Sequence, residues 1–389
     1  KVGGTLYGAT ANGNARLDAN KVNITGGTLS GDVYGASGDG KGAVTGNIVT
    51  ISEGKIADNV IGGRNTDTAV DAGAVTGSKV TVTGGEIRGH IYGGVTHADL
   101  PSSSSTTATA SGGNTVTITG GTIGGNRPDG TVRGNIYGGY AYGTNKTVET
   151  GNTVNLGADD GSYTADLTKA TIYGGASSAT GNTLNVKANK TVEVRGVHNF
   201  ENYKFWITKD TQVGDTMLKL TDHNGFDNLY SGTRRVNFSN VDVDLTNMSA
   251  KQIAGEITLI DGSHANALEF DNYNPHGTFA PTASNGDYEY ALRTDTDTYQ
   301  GQKVLMEYNR YQNGVMAYDA TSTSTDWFAG LSRGGHTTEN NHLTINAPLS
   351  RSITAYGAKT MGASGDSGGT KGNILDIQST GTNDAYEVT

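Results

Sequence analysis

The sequence predicts an all-β fold, a parallel right-handed β-helix (solenoid) of stacked Gly/Asn-rich coils with loop insertions. Three observations lead there. A short unit recurs along the chain at uneven intervals, β-branched residues alternate with polar ones inside it, and Gly pairs close each run.

The unit reads G-N-x-[V/L]-x-[I/L/V]. It occurs at Gly46 to Ile51, Gly113 to Ile118, Gly151 to Leu156, Gly181 to Val186 and Gly372 to Ile377, with looser copies at Ala19 to Ile24, Gly77 to Val82 and Asn340 to Ile345. The repeated amides are Asn20, Asn47, Asn114, Asn152, Asn182, Asn341 and Asn373, with Ser78 standing in once; neighbouring copies lie 27, 31, 36, 38 and 30 residues apart, and the last two 32. Variable spacing around a fixed unit means that loops grow from a common coil. A second half follows in the better copies, as in GGTLSGDVYGAS from Gly26 and GGEIRGHIYGGV from Gly84. In the copy that starts at Gly113 the insert NRPDGTV intervenes, with a turn expected at Pro128-Asp129-Gly130.

No single unit can bury a face alone, so units must stack, each strand pairing in parallel with its equivalent one coil on. Alternation sends Val22 and Ile24, Val49 and Ile51, Val80 and Val82, and Val116 and Ile118 into the coil from the first strand. Leu29 and Val33, Ile87 and Ile91, and Val132 and Ile136 are expected to do so from the second. Handedness follows from the right-handed crossover rule. Three regions are expected: a regular repeat over 1–195, an irregular aromatic-richer continuation or inserted subdomain over 196–340, and a return of the repeat over 341–389. Within the second, YEYALRTD and KVLMEYNRY read as a hairpin. Residues 96–113 read as a flexible Ser/Thr excursion.

Composition narrows the function classes. With no cysteine among 389 residues, disulfide frameworks, thiolate metal sites and cysteine nucleophiles are excluded, and stability must come from backbone ladders and stacked cores. A net charge of −10 without a basic block opposes nucleic acid as a partner. No apolar stretch approaches the roughly 20 residues of a membrane-spanning helix. No signal peptide is seen, and the chain opens inside a unit, so a longer precursor is expected.

The strings GNTVTITGGTIGG, GNIYGGYAYG and TIYGGASSATGNTLNV resemble the repetitive passenger regions of autotransporter (type V secretion) adhesin-like surface proteins of Gram-negative bacteria. The later VRGVHNFENYKFWI and VGDTMLKLTD are similar to the segment that follows those repeats. The resemblance covers residues 1–260 well and the remainder loosely. It implies export through the outer membrane and display at the cell surface, with membrane attachment only through a translocator barrel that lies outside this sequence.

Three constellations bear on function. Identical amides stacked at the coil spacing can bond along the axis, so Asn20, Asn47, Asn114, Asn152 and Asn182 are expected to form a structural ladder. The tyrosine of Y-G-G recurs at Tyr7, Tyr34, Tyr92, Tyr137 and Tyr173, with Ile61 replacing it once. Parity turns this column outward, beside a polar column of Asp32, Asn59, His90, Asn135 and Thr171 and a further one of Ser30, Ala57, Arg88, Arg133 and Lys169. The strip Tyr92, Tyr137, Tyr173 with Arg88, Arg133 and Lys169 is the candidate lateral binding site, because rings give flat apolar area at low entropic cost. The same rings can instead serve only to strengthen the sheet. The third constellation is the carboxylate pairs Asp159-Asp160, Asp242 with Asp244, and Asp295 with Asp297, none of which has a consistent basic partner. No His spacing suggests a metal site, so neither cofactor nor metal is expected.

The reading is a secreted or surface-displayed fibre for adhesion or interaction, not an enzyme, whose partner is a host or bacterial surface glycan or protein. A structural extracellular filament formed by self-association is the alternative, and a carbohydrate-active β-helix enzyme is the third.

Overall fold

The computed structural model describes residues 1–69, 71–97, 111–126, 132–142, 149–175, 180–222, 226–227, 235–264, 268–274, 283–346, 353–361 and 368–378. The turn expected at 128–130 and most of the Ser/Thr excursion lie outside these residues.

The chain is a parallel β-helix. Its first face is an eight-stranded sheet that takes one strand from each coil in chain order: Lys21–Leu29, Ile48–Ile56, Lys79–Ile87, Thr115–Ile123, Thr153–Leu156, Thr183–Val186, Asn202–Thr208 and Val241–Asn247. Every pairing is parallel and in the register of the repeat, with Val22 beside Val49, Val49 beside Val80, Val80 beside Val116 and Val116 beside Val154. The second face stacks Leu6–Tyr7, Val33–Asp39, Val60–Asn65, Ile91–Thr96, Ile136–Ala141, Thr171–Tyr173, Gly196–His198 and Phe226–Asp227, again in parallel. Short strands such as Leu17–Asp18, Val44–Thr45 and Val75–Thr76 make the third face.

A smaller cluster of Leu17, Ala36, Val44 and Val75 lies at the third face, beside the main apolar core that the prism encloses. Val80, Val82, Val116, Ile118, Val154 and Leu156 enter it from the first face and Val33, Val60, Ile91 and Ile136 from the second, all with no exposed surface. One expected core position moves. Ile87 pairs with Ile123, whereas Val132 lies in a two-residue antiparallel pairing with Asn126. The insert therefore leaves the coil after Ile123 and returns before Ile136, so the chain must be aligned from both sides of the excursion.

The Gly-Asn motif is a corner. Gly113 and Gly151 have φ of +63° and +68°, a conformation that costs a side-chain-bearing residue about 1–2 kcal/mol. The next residue, Asn114 or Asn152, points inward and is fully buried. In the looser copies Ala19 and Asn340 hold the same left-handed turn at +55° and +56°. The Y-G-G glycines complete the fit. A Cβ on Gly93 would come within 2.3 Å of the Gly138 carbonyl oxygen and 3.0 Å of the Asn114 Cβ, so the strand bends tightly over the amide.

Parallel pairing on the first face runs on to Val241–Asn247, past the last Gly-Asn copy of the N-terminal region. A six-stranded sheet then combines parallel strands (Val192–Val194, Thr216–Leu220, Ala254–Asp261) with the antiparallel hairpin Tyr288–Thr294 and Lys303–Arg310. Parallel coils follow again, with Val315–Ala317, His342–Ile345 and Ile374–Ile377 in one sheet. Glu289 joins hairpin and coils. Its carboxylate is fully buried and accepts from the main-chain nitrogens of Arg333 (2.5 Å) and Gly334 (3.0 Å) and from Asn309 Nδ2 (3.3 Å).

Candidate functional site

Two polar ladders frame the second face. In the inner one, the main-chain nitrogen and Nδ2 of Asn20 both donate to Asn47 Oδ1, at 3.0 and 2.9 Å. Asn114 donates in the same way to Asn152, and Asn152 to Asn182. Several Nδ2 groups also reach a carbonyl, as in Asn47 to Leu17 at 3.2 Å and Asn182 to Asn199 at 3.3 Å. This satisfies the corner donors of successive coils, since buried amides tolerate missing partners poorly. Asn341 and Asn373 repeat the arrangement near the other end. The column of Asp32, Asn59, His90 and Asn135 makes the outer ladder. Asn59 N donates to Asp32 Oδ1 (2.9 Å), His90 N to Asn59 Oδ1 (2.9 Å) and Asn135 N to His90 Nδ1 (3.2 Å). Its bonding was not evident from sequence, because three different residue types share the task.

Beside the outer ladder runs the aromatic column, on the side of the sheet away from the main core and from the buried amides. Tyr7 stacks on Tyr34 at 5.0 Å between ring centroids, Tyr92 on Tyr137 at 4.9 Å, Tyr137 on Tyr173 at 4.6 Å, and Tyr173 on His198 at 4.9 Å. The interplanar angles do not exceed 18°. Parallel pairing enforces this, since the coil rise of about 4.8 Å is close to the distance at which rings stack.

The strip departs from expectation in two ways. Outward is not exposed: Tyr34 and Tyr92 retain only 3% and 6% of their surface, whereas Tyr7 retains 46%. Tyr137 and Tyr173 are half-buried. Tyr140 packs edge-on against Tyr92 and Tyr137, and Tyr34, Ile61, Tyr92 and Val95 form an apolar cluster separate from the main core. Burial pushes the Tyr34, Tyr92 and Tyr137 hydroxyls well above the ordinary phenol range. Alternation alone does not reveal such a second layer.

Nor does the basic column form. The register runs Ser30, Ala57, Arg88, Gly124, not through Arg133, whose backbone pairs with Gly125 in the excursion. Lys169 is exposed, but it lies two residues beyond Leu167, the partner of Ile123 implied by the bridge between Thr122 and Asp166. Arg88 Nε is 2.6 Å from Glu86 Oε1, and Lys55 Nζ is 3.1 Å from the other oxygen. These cations, Arg88 first, hold the Glu86 carboxyl below its usual range.

The carboxylate pairs serve local structure. Asp160 Oδ1 accepts from Ser162 N and Asp244 Oδ1 from Thr246 N; Asp295 Oδ1 accepts from the main-chain nitrogens of Gln302 and Lys303. Among the described residues, no group of three His, Asp or Glu is placed to hold a metal ion, and no helix is long and apolar enough to cross a membrane.

No protein-family model, curated protein or solved structure matches this chain. Function must therefore be argued from the faces themselves. The second face carries groups that sequence reasoning passed over: Arg64, Val95 and Tyr140 share one register column, and His97 stacks on Tyr142 at 4.5 Å. Counting three and five residues on from the aromatic column would have found them.

Proposed function

We propose that this chain is a stretch of the passenger region of an autotransporter-type bacterial surface protein, and that it acts outside the cell as an adhesion or interaction fibre. The observation that carries this reading is the aromatic column, with rings in register on successive coils and the polar column Asp32, Asn59, His90 and Asn135 beside them. Rigid aromatic surface edged by hydrogen-bonding groups suits a glycan or a protein surface, because little side-chain freedom remains to be lost on binding. Repetition along the rod supplies linked contacts, so weak individual sites add to firm attachment.

The test is to incubate the purified chain with a glycan array and with cultured cells, to assay the recovered glycans for new reducing ends, and to image the protein alone by electron microscopy. Binding without cleavage supports the reading. Cleaved glycans would replace it with a carbohydrate-active enzyme. Regular filaments without glycan or cell binding would replace it with a structural filament.

A further inference from the structure

The coils that follow the hairpin begin with four short strands, Val315–Ala317, Asp326–Phe328, Leu331–Ser332 and Thr338–Glu339, each paired in parallel with its equivalent one coil on. The other edge of each needs a cover, because an open strand edge is a template for pairing. Three have one. Val315 N donates to the Ala250 carbonyl at 2.9 Å. Ser332 Oγ and Arg333 N donate to the buried Glu289 carboxylate, at 3.3 and 2.5 Å. Glu339 N donates to the Tyr311 carbonyl and Asn313 N to the Glu339 carbonyl, each at 3.0 Å. Asp326–Phe328 is the exception: among the described residues no strand pairs with its other edge.

The one paired side of this strand sets what the open side offers. Thr354 N donates to the Thr325 carbonyl at 2.7 Å, so alternation turns the main-chain groups of Asp326 and Phe328 the other way. The Asp326 carbonyl accepts from the Ser324 hydroxyl at 2.8 Å, which leaves the Asp326 N–H and both main-chain groups of Phe328 to a partner strand. A cleft of about 400 Å³ opens along this edge, with Ile253, Ala254, Met316 and Phe328 as apolar walls and Asp319 and Asp326 in its polar lining. Its size is that of a ligand site. Both carboxylates are exposed, and among the described residues neither forms an ion pair. The hydroxyl and main-chain nitrogen of Thr321 donate to Asp319 Oδ1, at 2.7 and 2.8 Å, and hold that carboxyl below its usual range.

We propose that Asp326–Phe328 is a docking edge for an extended segment of another protein, which adds as a strand and lays one arginine side chain in the cleft, its stem along Met316 and Phe328 and its guanidinium at Asp319 and Asp326. Apolar walls with carboxylates among them fit this side chain, because the stem buries apolar surface while the head keeps charged partners. Main-chain bonds supply affinity and the side chain supplies specificity. The site does not involve the aromatic column, so it stands or falls apart from the adhesion reading of that face.

The experiment titrates the full chain into a fluorescent peptide of sequence Ser-Thr-Val-Arg-Val-Thr-Ser and follows its anisotropy. The parent is expected to bind it, and to bind the same peptide with citrulline in place of arginine about tenfold more weakly, since citrulline keeps the shape and loses the charge. N-methylation of one alternate set of peptide amides should abolish binding, and N-methylation of the other set should leave most of it, as strand pairing through alternate groups requires. Asp326→Asn should weaken the arginine peptide about tenfold and leave the citrulline peptide unchanged. Ala254→Leu, which fills the cleft, should weaken both. If Ala254→Leu fails to fold, Asp326→Asn, a change at an exposed side chain, decides in its place. No binding by the folded parent, equal affinity for the two peptides, equal loss from the two methylation sets, or undiminished binding by folded Ala254→Leu or Asp326→Asn would overturn the assignment.

Discussion

Asn114 donates from its main-chain nitrogen and from Nδ2 to the same oxygen, Oδ1 of Asn152, each at 3.1 Å, and both residues are fully buried. One side chain on each coil thus satisfies the corner of its neighbour. Replacing Asn152 with Leu removes the acceptor that the main-chain nitrogen and Nδ2 of Asn114 share. We expect a loss of about 1–3 kcal/mol, measured by denaturant unfolding. A variant as stable as the parent would show that the ladder contributes nothing.

The ladder has one weak rung. Ser78 accepts no amide from the preceding Asn47, and its own buried Oγ has no hydrogen-bond partner among the described residues. Ser78 N still donates to Asn114 Oδ1 at 3.0 Å, so the corner geometry is intact. Ser78→Asn should extend the ladder and raise stability by about 1 kcal/mol. A lower melting temperature would mean that the packing beside Gly63, whose added Cβ would lie 2.6 Å from Ser78 Oγ, is too tight for an amide.

The first face was legible because period-two alternation and the Gly-Asn corner survive every change of loop length. Val80, Val82, Val116 and Ile118 are read from alternation alone and are fully buried. What the sequence hid has physical causes. Val132 looks like the partner of Ile87 until pairing shows that the excursion starts after Ile123. Tyr92 reads as outward and is outward, yet Tyr140 covers it, and a second layer leaves no periodic trace. Arg88 reads as part of a basic column, but its charge is paired with Glu86, two residues before it in the strand Lys79–Ile87.

Ile118 tests the core directly. It has no exposed surface and lies between Val82 and Leu156 in register. Ile118→Asp should cost several kcal/mol, because an isolated carboxylate there has neither water nor partner. Unchanged melting would place Ile118 outside the coil.

Buried phenols give the protein an alkaline limit. Burial pushes Tyr308 up to about 12 from an ordinary value of 10.0, and Tyr92, Tyr137 and Tyr203 are raised by burial as well. Each stays protonated in the folded chain where the unfolded chain has lost its proton. Their stabilising effect is therefore full below about pH 10 and is lost as pH rises through the folded values. Absorbance titration of tyrosinate should show a delayed fraction that ionises together with unfolding. Smooth ionisation of every tyrosine near pH 10 in a folded chain would contradict the covered column.

The proposed binding role of the aromatic column can be tested on its less covered members. Tyr137 and Tyr173 are the members to alter, since they stack at 4.6 Å and are less covered than Tyr92. Ile61 shows that the same column accommodates an isoleucine. The most direct measurement is attachment of the double variant Tyr137→Ile, Tyr173→Ile to glycans and cells, with its melting temperature taken in parallel. The account predicts a folded rod whose attachment falls further than the two single variants would give if each acted alone, because neighbouring coils supply linked contacts. Attachment equal to the parent by a folded double variant would contradict it.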